Sequence, residues 1–363
     1  MKLKYLFILM LVVLLFVLLC TLPHVVKMQY GSQHREVKPS HSPATRASNP
    51  ADICENCQNV IQQVLDIYSQ AWTKNKDNHR QLQSKLSFKC NGFNDGIITQ
   101  ANTPLMSVLV YDGDKATVNV TEEMFNTFAK NHPFSNRRLD TCAVVGNGGI
   151  LSNSGCGEAI DSAQFVIRCN MPPLEGNFSK DVGTKSDIVT ANPTIFVKKY
   201  GSFLKLRRPF VDHARFYGDA MLLTPTFSFR AYTGLILRAF YTIQDSELPI
   251  QPVSMNPVYL KNLNEFWKTH GLNPKIFRLS TGLMMTSLAV EICDNVHLYG
   301  FWPFDQHPHT KQPLNHHYYD KILPGGFHSM SDEFKLLLKL HREGVLKLHL
   351  GQCPPPRRWR FFS

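Results

Sequence analysis

Residues 142–157 read CAVVGNGGILSNSGCG, an apolar run that breaks into glycines with a cysteine near each end. A strand that empties into glycines lets backbone N–H groups approach a ligand, the usual means of holding a phosphate or a nucleotide. Residue types exclude two versions of that device. The dinucleotide fingerprint needs a third glycine where Leu151 stands, and an acidic residue at the end of the next strand, where FVIRCN closes on Cys169-Asn170. The phosphate loop of nucleotide hydrolases needs a Gly-Lys-Ser/Thr sequence, and none follows. What remains is one amide, Asn147, at the tip of the turn and a second, Asn170, at the end of the neighbouring strand. Carboxamides donate and accept without charge, which suits ribose hydroxyls, a phosphate or a pyrimidine base. Either asparagine alone would equally serve to make a turn.

Other groups offer chemistry less firmly. Ser280-Thr281-Gly282 precedes a helical pattern, so its N–H groups and hydroxyls either receive a phosphate or cap the helix. Asp112-Gly113-Asp114 matches an Asp-x-Asp metal motif, but it sits in SVLVYDGDKATVNV, where a hairpin turn accounts for every residue. His307, His309, His316 and His317 crowd one loop without a spacing that fixes a coordination geometry. Cys54 and Cys57 make one Cys-x-x-Cys, half of what a structural zinc needs. No metal or other cofactor is expected.

The elements that must position these groups alternate. CAVVG, FVIRCN, SDIVTANP, MLLTP and VHLYGF read as strands, with helices between them from about Leu283 to Cys293 and over SDEFKLLLKLH. That alternation predicts an α/β domain with a Rossmann-like, mainly parallel sheet flanked by helices, ligands lying beyond the carboxyl ends of the strands. Upstream, residues 5–26 hold an uncharged apolar stretch long enough to span a bilayer, expected to be an uncleaved anchor behind a short tail, 1–4. A polar segment rich in Pro and Ser opens the stem assigned to 27–86, and the globular body is assigned to 87–363. Within the stem, NVIQQVLDIYSQAW carries helical spacing. Sequons at Asn119 and Asn177, with eight of nine cysteines past residue 50, suit an oxidising lumen. The net charge of +11 comes from dispersed residues, with no basic arm or helix, so nucleic acid is not an expected partner. It suits instead the steering of anionic sugar nucleotides and acidic glycans.

Four segments carry a resemblance. CAVVGNGGILSNSGCGEAIDSAQFVIRCNMPP is similar to the large sialylmotif of the animal sialyltransferases, and LSTGLMMTSLAVEICDNVHLYGFWPF to the small one. His317-Tyr318-Tyr319-Asp320 resembles the third motif, and His328 to Glu333 the very small one. They occur in family order over about Cys142 to Cys353, in strings most like the α-2,8-sialyltransferase branch. The resemblance implies the sialyltransferase variant of the glycosyltransferase A fold, in one lumenal catalytic domain of a Golgi type II membrane protein. It implies CMP-sialic acid as donor and disulfides Cys142–Cys293 and Cys156–Cys353, a homodimer staying open. Donor contacts would come from Asn147, Asn170, Asn192, Pro193, Thr194, Ser280, Thr281 and Gly282. His317 would attend the departing phosphate, and Trp302 either lines the pocket or packs in the core.

His328 is the implied general base. It stands just ahead of a helix whose positive end favours neutral imidazole, the form that removes a hydroxyl proton. Glu333, in the first helical turn, is as well explained by structure. FNTFAKNHPFSNRRLDT ahead of the large motif is only mildly basic, whereas polymerising members are strongly so, which points to adding one or a few sialic acids. The acceptor is then a sialylated glycolipid (ganglioside) or glycoprotein O-glycan. A sialyltransferase of another linkage, and a silent sialoside-binding lectin, stay as alternatives.

Overall fold

Strands buried on both faces read as nearly continuous apolar runs, and those runs form the sheet. The computed structural model describes residues 57–134, 138–272, 278–321 and 330–354. Helices α1 (Cys57–Tyr68) and α2 (Lys76–Lys89) come first, then an antiparallel hairpin of β1 (Val108–Val110) and β2 (Thr117–Asn119). The main sheet follows: β3 (Leu139–Val145), α3 (Gly157–Asp161), β4 (Phe165–Arg168), β5 (Ile188–Thr190), α4 (Pro193–Lys198) and α5 (Arg207–Ala214). After these come β6 (Met221–Thr224), α6 (Arg230–Asp245), β7 (Gln251–Ser254), α7 (Pro257–Thr269), α8 (Thr281–Ile292), β8 (Cys293–Tyr299), α9 (Met330–Arg342) and β9 (Lys347–His349).

Seven strands pair in parallel in the order β7-β6-β5-β4-β3-β8-β9. Alternate residues of β3 enter opposite cores, Cys142 and Val144 on one face and Ala143 and Val145 on the other. The chain builds outward from β3 to β7, then crosses back to lay β8 on the other side of β3. The order therefore reverses between β3 and β8, and a crevice opens beyond their carboxyl ends, where α/β sheets bind ligands. The α/β expectation holds.

Residues assigned to the stem behave differently from that assignment. Ile61 and Val64 of α1 and Leu86 of α2 are buried in the core, so from Ile61 onward that stretch packs onto the body. The anchor (5–26), and Cys54 with its neighbours, lie outside the described residues. Among those described, no helix is long and apolar enough to cross a membrane. Asn119, on β2, and Asn177 are exposed.

Two disulfides tie the sheet together. Cys142 of β3 joins Cys293, where α8 passes into β8, with Cα atoms 6.0 Å apart. Cys156, beside the glycine turn, joins Cys353 with Cα atoms 4.9 Å apart. Cys90 and Cys169 are buried thiols, each pushed up to about 12 by burial and hence unreactive.

Candidate active site

Gly146-Asn147-Gly148 leaves β3 and Gly300-Phe301-Trp302 leaves β8, and the two turns pack backbone to backbone. Gly146 N–H donates to Tyr299 O at 2.8 Å, and Gly148 N–H to Gly300 O at 3.0 Å. A Cβ on Gly148 would lie 2.6 Å from that Gly300 oxygen, so only glycine permits the approach. Beside this joint is a cavity of about 210 Å³. Asn147, Asn170, Asn192, Ser280, Thr281, Gly282, Trp302 and His317 all line it. Pro193 and Thr194 do not: Pro193 opens α4 and Thr194 is exposed. Asn192 holds the N-cap position of that helix without a side-chain capping bond, and its amide turns to the cavity instead.

The asparagines form a chain. The Asn147 amide donates to Cys169 O at 2.8 Å, while its side-chain oxygen is buried with no partner among the described residues. Asn170, one residue beyond Cys169, takes a left-handed φ of 60° that asparagine tolerates better than most residues. Its side-chain oxygen accepts from Asn192 N–H at 3.1 Å, and Asn192 in turn donates to Thr281 Oγ1 at 3.2 Å. Three strand ends are thus wired to the start of α8. The MPP segment behind Asn170 is pinned from outside, Tyr318 OH donating to Pro173 O at 2.7 Å and Tyr217 OH to Pro172 O.

Ser280 is engaged by the protein. Its hydroxyl caps α8 by accepting from Leu283 N–H at 3.1 Å. Its N–H donates to Glu333 Oε1 at 2.8 Å, and its hydroxyl donates to Glu333 Oε2. Glu333 is only 3% exposed, so this carboxylate clamps α9 onto the start of α8, the structural role the sequence allowed. Among the described residues, the N–H groups of Thr281 and Gly282 have no protein acceptor, as at any helix start. They, with the positive end of a 12-residue helix, can receive a phosphate.

His317 reaches the cavity because Tyr318 N–H bonds Asn147 O at 2.9 Å, zipping the two segments together. Its Nδ1 lies 3.0 and 3.1 Å from the two Asp320 oxygens. That carboxylate fixes the ring, taking the Nδ1 hydrogen and leaving the other ring nitrogen for the cavity. Asp320 was missed as a functional residue although it stands three places after His317, a spacing that brings two side chains together. His316 also lines the cavity, its pKa lowered by burial and then by His317. Trp302 is 6% exposed and its indole N–H donates to Gln306 O at 2.8 Å, so it offers the ligand an apolar wall. His328 lies outside the described residues.

Asp114, the second acid of the Asp-x-Asp turn, is engaged by the backbone. Both carboxylate oxygens of Asp114 accept backbone N–H groups, from Ala116 and Arg230 at 2.9 Å each. Among the described residues no three His, Cys, Asp or Glu side chains converge on a common point.

Amides, helix N–H groups and a carboxylate-held imidazole at a parallel-sheet switch point have the character of a donor site in a nucleotide-dependent transferase. Comparison makes the class specific. The glycosyltransferase family 29 (sialyltransferase) model matches residues 97–345. Human alpha-2,8-sialyltransferase 8F is 42% identical over 295 residues, 81% of this chain and 73% of that one. Human alpha-2,8-sialyltransferase 8E is 40% identical over 284 residues, covering 78% and 75%. The bovine alpha-N-acetylneuraminide alpha-2,8-sialyltransferase is 40% identical over 304 residues, 83% of each. The chain belongs to glycosyltransferase family 29, the sialyltransferases.

Proposed function

We propose that this chain transfers sialic acid from CMP-sialic acid to a hydroxyl of a terminal sialic acid, in α-2,8 linkage, on a glycolipid or O-glycan. The observation that carries the reading is the single cavity into which Asn147, Asn170, Thr281 and His317 converge from four separate segments. Their chemistry matches the donor: the unpartnered Asn147 oxygen accepts from the nucleoside, and the helix N–H groups and His317 meet the phosphate. The relatives' names supply the linkage.

His328 is the proposed base. It stands two residues before Met330, at most about 7 Å of chain, and Glu333 holds the start of α9 at the cavity wall. In one displacement the acceptor oxygen bonds the anomeric carbon, its proton passes to the imidazole, and the bond to phosphate breaks with its electron pair, releasing CMP. The carbon inverts. Charge on the leaving phosphate is met by the N–H groups at the start of α8 and by His317, so the proposed reaction needs no metal. The body acts in the Golgi lumen, tethered by residues 5–26; exposed sequons and two disulfides support that compartment.

The test is transfer from CMP-sialic acid to sialylated acceptors, with linkage analysis of the product, with and without EDTA. Turnover in both conditions, and its loss in a folded His328→Ala variant that still binds CMP, is the expected result. Metal-dependent turnover or an active alanine variant would refute the mechanism.

A further inference from the structure

The turn explains Asp114, whose oxygens both accept backbone N–H groups, but it does not explain Asp112. The Asp112 side chain is 10% exposed and lines a second cavity, of about 300 Å³, between the hairpin turn, α7 and the segment leading into α8. One of its oxygens lies 3.6 Å from the Arg278 guanidinium and Ser228 also hydrogen-bonds the carboxylate, while Oδ1 is buried with no hydrogen-bond partner among the described residues. Asn264, on α7, lines the same cavity, and its side-chain oxygen is likewise buried with no partner among the described residues. Two such acceptors in one cavity are rare in folded proteins and ask for donors from outside.

The surrounding charge is positive. Arg278 is held in place over the Phe229 ring, 5.1 Å from its centre, and donates to Ser228 Oγ at 2.8 Å. Lys261 and Lys268 also line the cavity, and neither has an ion-pair partner among the described residues. The other acid there, Glu265, is paired with Lys89 at 3.3 Å. A ligand that offers hydroxyl or amide donors to Asp112 and Asn264 and a negative charge to the cations is an acidic sugar. A divalent cation would meet three positive side chains, and an apolar ligand would leave the oxygens unpaired.

Position gives such a sugar its meaning. Leu279 and Met284 wall this cavity, whereas Ser280, Thr281 and Gly282 between them wall the donor cavity. The two spaces flank one helical turn, a separation of about one helix diameter, ~10 Å. An oligosaccharide with its end at the reaction centre can cover that distance. We propose that this second cavity is an acceptor subsite holding an acidic, hydroxyl-bearing sugar unit inward of the one that reacts; the link to catalysis rests on the sialyl-transfer reading.

The test uses the full chain in detergent with two acceptors, a sialyl-galactoside and a doubly sialylated oligosaccharide. Asn264→Ala and Lys268→Ala should each raise KM for the longer acceptor about 3- to 10-fold, the loss of one hydrogen bond or ion contact. Values of kcat, and of KM for the short acceptor and the donor, should not move. Asn264→Ala removes a group with an unpaired oxygen, so melting is expected to be unchanged, and a lowered Tm would count against the assignment. Equal effects on both acceptors, or none on either, overturn it. Saturation-transfer NMR of the longer oligosaccharide without donor, lost in both variants, tests the subsite even if no sialylated acceptor is turned over. In that case the sialyl-transfer reading fails while the subsite stands.

Discussion

Replacing Glu291 by glutamine should flatten the dependence of stability on pH. Glu291 sits near the end of α8 and is 3% exposed. Its Oε2 accepts from Gly92 N–H at 2.7 Å, and its Oε1 from Tyr259 OH at 3.1 Å. Burial is the dominant influence and pushes the carboxyl up to about 7, the two hydrogen bonds offsetting only part of it. The ordinary value is 4.5. Between those limits the native state keeps a proton that the unfolded chain has lost, so stability falls as pH rises from about 4.5 to about 7 and is level above. At 1.36 kcal/mol per unit the full loss is about 3 kcal/mol. Glutamine fits the same partners, its oxygen accepting from Gly92 and its amide donating to the Tyr259 hydroxyl. An unfolding entropy of about 2.1 cal/mol/K per residue over roughly 300 residues converts that loss to about 5 °C. The Tm of Glu291→Gln minus that of the parent should therefore grow by about 5 °C from pH ~4 to pH ~8 in thermal scans. Parallel curves would refute the argument, because the carboxyl would then ionise alike in both states.

Glu333→Gln keeps one of two acceptors for Ser280, so about 2 kcal/mol and roughly 3 °C of Tm should go, together with CMP affinity, since the start of α8 loosens. Calorimetry with CMP and a thermal scan check both, and no change in either removes the clamp from the account. Asn147→Asp exchanges the donor that bonds Cys169 O for an anion facing a carbonyl and a phosphate site; CMP affinity should fall at least ~10-fold by titration, and unaltered affinity would take Asn147 out of the site. Cys353→Ser opens a link across 197 residues. On the chain-entropy model that is worth about 5 kcal/mol, so the Tm of oxidised protein should drop by roughly 8 °C, and an unshifted Tm would contradict that model here.

Legibility followed burial. Strands sealed on both faces, such as β5 and the end of β3, are apolar runs no surface segment imitates. By contrast β7 is QPVS, short and with Pro252 inside it, a composition that only an edge strand tolerates and that reads as loop. Helix α2 was hidden for another reason. KDNHRQLQSKLSFK looks solvated, yet His79 and Gln83 are buried, because their polar atoms meet backbone carbonyls left over elsewhere. The His79 ring nitrogens face Val345 O and Cys293 O at 2.9 and 3.0 Å, and Gln83 donates to Val290 O at 2.8 Å. Polarity spent on long-range partners is indistinguishable in sequence from polarity spent on water. The same limit applied at the site. The amides could be chosen by chemistry and position after strands, whereas the grip of Glu333 on Ser280, across 53 residues, is a tertiary fact.

The two sulfur bridges set a schedule for biosynthesis. Cys142 must wait for 151 further residues to be made before its mate exists, and Cys156 for 197. At translation rates of about 5–20 residues per second that is roughly ten to forty seconds. In the oxidising compartment proposed for the body, these two thiols would emerge with each other, Cys169 and the earlier Cys54, Cys57 and Cys90 at hand, the shortest loops being the easiest to close. A cell that makes this enzyme must therefore undo early wrong pairings, and its yield should track the supply of disulfide isomerase more than that of oxidant.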